Sequence, residues 1–173
     1  MAPLEPDDFA RLLRLHLPRA TRLAVRLCGD VHAAEDVVGE ALLRATRHFR
    51  SFRGESAFAT WLHRIVINCF RDSLRRDRRP PMASEQALAD VATPMTPAPE
   101  RMAADELGRE VARLVSALPP RQREALVLTV YEGHTAEQAA ELMETTAQNV
   151  RVLSHHARTR LKQQLQIVEA NHA

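Results

Sequence analysis

Phe52-Arg53-Gly54-Glu55-Ser56-Ala57-Phe58-Ala59-Thr60-Trp61-Leu62 runs into Arg64-Ile65-Val66-Ile67-Asn68 and closes at Arg75-Arg76-Asp77-Arg78-Arg79. The glycine-bearing loop gives way to a long helical pattern, in which Trp61, Leu62, Ile65 and Ile67 complete an apolar stripe. That spacing makes Trp61 a core residue before it is a base contact. Ser56 is placed to cap the helix, which is expected to reach about Arg76. Aromatic faces beside guanidinium groups suit an unstacked base on a charged backbone, so nucleic acid is the first partner this stretch suggests.

Outward from that stretch no segment alternates apolar and polar residues as a strand would. The chain of 173 residues has only five glycines, and Ala, Leu, Arg and Glu outnumber the β-branched types. An all-α protein is expected. The formal charge of +2 hides an uneven distribution, with 15 Arg against 10 Asp and Glu over residues 1–80 and 8 basic against 9 acidic groups over residues 105–173. Lys162 is the single lysine. Arginine suits bidentate contacts, and a coding bias yields the same composition. Cys28 and Cys69 lack the spacing of a metal or redox pair and read as reduced core thiols. With no signal-peptide core and no apolar run of membrane-spanning length, a soluble cytoplasmic protein is expected.

The first helix, capped by Asp7 or Asp8, carries Phe9, Leu12, Leu13 and Leu17; Pro18 predicts a kink or break before Leu23, Leu27 and Cys28, with a stop at Gly29. After Asp30 a second helix covers Val31 to His48, with Val37, Val38, Ala41, Leu42 and Ala45 inward. From Arg79 to Pro99 five prolines interrupt any periodicity, which reads as a linker. A second unit then starts near Glu100, with Leu107, Val111, Leu114, Val115 and Leu118 at core spacing. Pro119-Pro120 opens a helix to about Tyr131, closed by Gly133. Thr135 with Glu137-Gln138 is a capping signal for Ala136 to Leu142, and Thr146 caps a helix through Val150, Leu153 and Ala157 to Leu161. Two helices joined by so short a turn read as a helix-turn-helix.

These motifs together resemble the extracytoplasmic-function (group IV) sigma factors of the sigma-70 family. Ala34-Glu35-Asp36-Val37-Val38-Gly39-Glu40, Phe52-Arg53-Gly54-Glu55-Ser56, Thr60-Trp61-Leu62 and Ile65 to Asn68 resemble region 2. Leu118-Pro119-Pro120-Arg121-Gln122-Arg123-Glu124 and the helix-turn-helix resemble region 4. The resemblance implies two small helical domains, residues 1–79 and 100–173, joined by a flexible Pro-rich linker at 80–99. It further implies a partner, core RNA polymerase, and promoter DNA held single-stranded at the minus-10 element and double-stranded at the minus-35 element. An anti-sigma factor, often membrane-anchored in the family, is the expected inhibitor.

Carried over residue by residue, Glu35, Asp36, Glu40 and Arg44 belong to the polymerase-binding helix, where Gly39 departs from the usual glutamine. Phe52, Arg53, Ser56, Arg64, Asn68, Arg71, Arg75 and Arg76 form the minus-10 set, with Phe52, Arg64 and Asn68 around the flipped base. Arg123, Thr146, Gln148, Asn149, Arg151, Val152, His155, His156 and Arg158 form the minus-35 set. Val152, Leu153, His155 and His156 stand where the family commonly has arginines and a small polar residue, which implies unusual sequence choice or weaker, pH-sensitive binding, since an unperturbed imidazole charges near pH 6.5. The adjacent His155-His156 pair has no third ligand at helical spacing, so neither metal nor cofactor is expected.

Two other functions compete. A sigma-like decoy that binds a regulator without polymerase would fit Gly39 and the weakly basic second unit, whereas a simple helix-turn-helix repressor leaves the aromatic and arginine stretch without a role. An enzyme is not expected, because paired carboxylates, nucleophile elbow and phosphate-cradling glycine loop are all missing at workable spacing.

Overall fold

The computed structural model describes residues 6–49, 52, 54, 56–77 and 102–172, with no side-chain placement for 6–7, 102–107 and 168–172. Among them every regular element is helical: α1 Pro6–Cys28, α2 Val31–His48, α3 Phe58–Asp77, α4 Met102–Ser116, α5 Pro120–Leu126 with a π-helical extension Val127–Tyr131, α6 Ala136–Met143 and α7 Ala147–His172. The expected linker at 80–99, together with Arg53, Arg78 and Arg79, lies outside the described residues.

In the first unit α1, α2 and α3 pack mutually, burying Leu23 and Leu27, the small stripe Ala34, Val37, Ala41 and Ala45, and Leu62, Val66, Ile67 and Phe70. The alanines of α2 let its axis come close to its neighbours, so the bulk of the core is supplied by α1 and α3. α1 runs unbroken through Pro18, so of the expected kink or break the break does not occur. A proline inside a helix costs about 3 kcal/mol. Here the ring sits on the exposed side, Thr21 Oγ1 donates to the Leu17 carbonyl at 3.0 Å, and the buried face from Ala20 to Leu27 keeps the helix continuous. The same helix starts at Pro6, which puts Asp7 and Asp8 within its first turn instead of at the cap. Gly29 ends it at φ +73, and Asp30 caps α2 by accepting from the Ala33 amide at 2.8 Å. α3 begins at Phe58, with the Trp61 amide bonded to the Ala57 carbonyl, so Ser56 stands one residue too early to cap it.

In the second unit α5 and α6 pack on α7 around Leu128, Leu142, Met143, Val150 and Ala157. The helix expected from Pro120 to Tyr131 is present, but its last part is π-helical, with the Glu132 amide bonded to the Val127 carbonyl. Thr135 and Gln138 form the reciprocal capping box of α6. Thr135→Ala should cost about 1 kcal/mol, read as a lower urea midpoint at unchanged slope. Thr146 Oγ1 accepts from the Asn149 amide at 3.2 Å and starts α7, which continues past the expected end at Leu161 to His172.

The two units share one continuous core, with α1 and α3 lying against α4, α5 and α6. A proline-rich connection suggests independent units; the buried contacts between them were not visible in any one segment's periodicity.

Candidate nucleic-acid interface

Arg64, Asn68, Arg71 and Arg75 fall four, three and four residues apart, which puts them on one face of α3. Arg64, Arg75 and Arg76 are exposed, while Asn68 and Arg71 are half-buried. Phe52 is half-buried at the head of this face, its ring 5.1 Å from Trp61 and edge-on to Phe58 at 5.7 Å. Trp61 is itself half-buried in this aromatic cluster, consistent with a core-side role. Ser56 is exposed.

Arg71 is not free on that face. Its guanidinium takes the Glu124 carboxylate of α5 through Nη2 at 2.8 Å and Nε at 3.2 Å, and its Nη1 is 3.5 Å from Asn68 Oδ1. At the other end, Arg44 of α2 binds Glu40 and Asp72, each at 2.7 Å, and Arg75 also reaches Asp72. The Arg44 side chain holds the Asp72 carboxyl below the usual range. Glu40 and Arg44 therefore tie α2 to α3, while Glu35 and Asp36 are exposed on the α2 surface, Glu35 with His32 Nδ1 at 3.6 Å.

Gly39 is exposed there, and a Cβ at this position would meet nothing within 4 Å. Gly39→Ala should therefore stabilise the protein by about 1 kcal/mol, a rise of several degrees in melting temperature. Leu43, 55% exposed, lies seven residues after Asp36 on the same face. A lone Leu on a surface helix carries no motif, so nothing in the sequence marks Leu43.

The helix-turn-helix is set by α6, a turn through Glu144 at φ 52, and the capped start of α7. Val150, Ser154 and Ala157 face inward, so Gln148, Asn149, Arg151, Val152, His155, His156 and Arg158 are exposed around the other side. Thr146 is exposed at the tip, Asn149 Nδ2 donates to Thr145 Oγ1 at 2.9 Å, and Arg151 pairs with Glu137. Arg123 does not join this set. It is buried, donating to the carbonyls of Ser116, Leu118 and Leu27, because its helix faces the end of α1 and not solvent.

Between the units His63 is 2% exposed, its ring 5.9 Å from that of His134, and neither His63 Nδ1 nor His134 Nε2 has a partner. Burial pushes the His63 imidazole down to about 4, against a smaller opposing pull from Glu132. An unfolded imidazole near 6.5 takes up a proton that the folded one refuses, so stability is present above that value and is lost as pH falls from about 6.5 to about 4. The loss should be roughly 2–3 kcal/mol, read from urea midpoints at neutral and acid pH, and His63→Asn should lack that part of it.

Two sequence-family models match in order, Sigma-70 region 2 over residues 12–80 and Sigma-70, region 4 over residues 108–161. The chain belongs to the sigma-70 family. It is an extracytoplasmic-function member of that family. It is 38% identical over 157 residues to the RNA polymerase sigma-H factor of Pseudomonas aeruginosa, covering 83% of this chain and 79% of that one. The ECF RNA polymerase sigma-E factor of Escherichia coli is 35% identical over 150 residues, covering 80% and 75%. The ECF sigma factor SigE of Mycolicibacterium smegmatis is 34% identical over 159 residues, and the match spans 91% of this chain but only 62% of SigE. Among solved structures, CnrH in complex with the cytosolic domain of CnrY matches at TM-score 0.68 and 25% identity, covering 94% of this chain and 90% of CnrH. The sigma factor RpoE of Bartonella quintana, solved with the anti-sigma factor NepR, shares the fold at TM-score 0.69 and 24% identity, covering 92% and 98%.

Proposed function

We propose that this chain binds core RNA polymerase and directs it to promoters, with α3 holding the unpaired minus-10 strand and α7 reading the minus-35 duplex. The observation that carries this reading is one chain with two distinct nucleic-acid faces. An amide-and-arginine stripe follows an aromatic cluster on α3, and a helix-turn-helix exposes Gln148, Asn149 and Arg151 on α7.

Extrusion of a base costs a few kcal/mol, which a site offsets by stacking and by hydrogen bonds to the base edge. Phe52 supplies the aromatic wall, Ser56 and Asn68 the edge contacts, and Arg64, Arg75 and Arg76 the phosphate contacts. Arg71 joins them once released from Glu124. On α7, Gln148 and Asn149 suit adenine and Arg151 guanine, with Val152, His155, His156 and Arg158 alongside and Thr146 at the tip.

Glu35 and Asp36 form the open acidic part of the polymerase-docking face, Leu43 adds an apolar contact, and Glu40 and Arg44 brace it from the α2–α3 network. The protein acts in the cytoplasm, where polymerase is, and performs no catalysis of its own. An anti-sigma factor controls it; the Bartonella RpoE structure, in which a sigma factor of this fold is held by one, supports that part of the reading.

Run-off transcription with purified core polymerase tests the proposal. Promoter-dependent transcripts that appear only when this chain is added are expected. Absence of transcript together with failure to retain polymerase on the immobilised chain would favour the decoy reading, whose basis is Gly39 in the docking helix.

A further inference from the structure

Val152 is 40% exposed on α7, an aliphatic side chain standing in a polar face. Its direction follows from what the helix buries. Val150, Ser154 and Ala157 turn inward, and the Ser154 hydroxyl meets that of Thr129 at 3.3 Å, which fixes the rotation of α7 against the extension of α5. At about 100° per residue, Val152 lies roughly 200° round from Val150 and so points away from the core. Gln148, Val152, His155 and Thr159 follow one another at four, three and four residues and form the centre of the exposed face, with Asn149 and His156 along one flank.

The residues one turn either side of Val152 are Gln148, Asn149, His155 and His156, with no carboxylate or guanidinium among them. Arg151 is drawn aside to Glu137 of α6, and the Asn149 amide is steadied on Thr145 at 2.9 Å. The face thus has an apolar centre between amides and imidazoles. A β-branched residue lowers helix propensity slightly and its methyls add nothing to solubility, so neither the helix nor the solvent accounts for a valine here.

We propose that Val152 selects a 5-methylpyrimidine, thymine in unmodified DNA, at one position of the minus-35 element through contact with the base methyl. The inference deepens, and rests on, the reading of α7 as the duplex-reading helix. In the major groove the C5-methyl of thymine is the apolar feature of the base edges, and the remaining groups are donors and acceptors. An aliphatic group set among amides and imidazoles matches an edge of that makeup. The flanking amides favour thymine over 5-methylcytosine as the source of the methyl, since Gln148 and Asn149 suit adenine, the partner of thymine. Uracil at that position keeps every polar group of the base pair and removes the methyl alone, a loss of about fourfold in affinity for one buried methyl-sized group.

The test uses holoenzyme assembled from core polymerase and the full chain, as wild type, Val152→Ala and Gln148→Ala. Val152 is exposed and alanine is the stronger helix former, so Val152→Ala folds as the wild type does, which circular dichroism verifies. Selection from a duplex library randomised over the minus-35 element gives the preferred sequence of each holoenzyme. Competition gel shifts on the wild-type sequence then compare duplexes with uracil for each thymine, or 5-methylcytosine for each cytosine, one position at a time. One thymine at which uracil weakens wild-type binding about fourfold, and leaves Val152→Ala binding unchanged, is the expected result. Uracil tolerated at every thymine, or a penalty that Val152→Ala retains in full, overturns the proposal alone, provided that Gln148→Ala still alters the selected sequence. A gain at a 5-methylcytosine in place of the uracil effect overturns thymine as the source of the methyl. A sequence that neither variant alters, or no sequence selected at all, overturns the reading of α7 and the proposal with it.

Discussion

Asn68→Ala should reduce promoter opening by about tenfold or more, while duplex capture through α7 stays close to the wild-type value. A good base-edge contact contributes about 1–3 kcal/mol, and Asn68 is the one side-chain amide on the α3 stripe. Its substitution should cost little in folding, because the side chain is half-buried and its hydrogen bond from Arg71 is long, at 3.5 Å. Holoenzyme assembled with Asn68→Ala should therefore shift promoter fragments in a gel normally and give weak permanganate reactivity. Equal loss in both assays would mean that Asn68 supports the domain and not the unpaired strand. Phe52 is the less clean probe, since its ring also packs on Phe58 and Trp61.

Phe70→Ala should destabilise the protein by about 3–5 kcal/mol, the usual cost of emptying a buried aromatic site. Phe70 is 1% exposed and among the largest fully buried side chains. Against a typical total of about 5–15 kcal/mol, the loss is enough to unfold the first unit at moderate temperature. Calorimetry should show an early transition, and polymerase retention should fall with it. A change below about 1 kcal/mol would mean that α3 is not held by this packing.

Most of the fold was legible because its signals are local. Asp30, Gly29, Thr135 and Thr146 mark helix ends through caps and a left-handed turn, and the apolar stripe of α2 predicts its buried face. At Pro18 local propensity allows a break, and the flanking core keeps the helix continuous through it. The π-helical end of α5 had no sequence signal at all. At the site, the exposed face of α7 was legible from period, because Val150 and Ala157 turn inward with Leu153 half-buried; the buried Ser154 was not foreseen. Arg123 and Arg71 were not. A sequence shows that an arginine is present but not which distant carbonyl or carboxylate claims it, and both here are claimed across the boundary between units. For the same reason no sequence signal marks Glu124 and Glu132 as buried acids held by Arg71, Arg19 and Arg26.

The division of labour between α3 and α7 is tested most directly by permanganate footprinting of a promoter fragment bound by core polymerase with this chain, compared with core polymerase alone. Thymines of the minus-10 element that become reactive only when the chain is present, and stay protected with Asn68→Ala despite an unchanged gel shift, are the predicted result. Reactivity independent of the chain, or full reactivity with the variant, would contradict it.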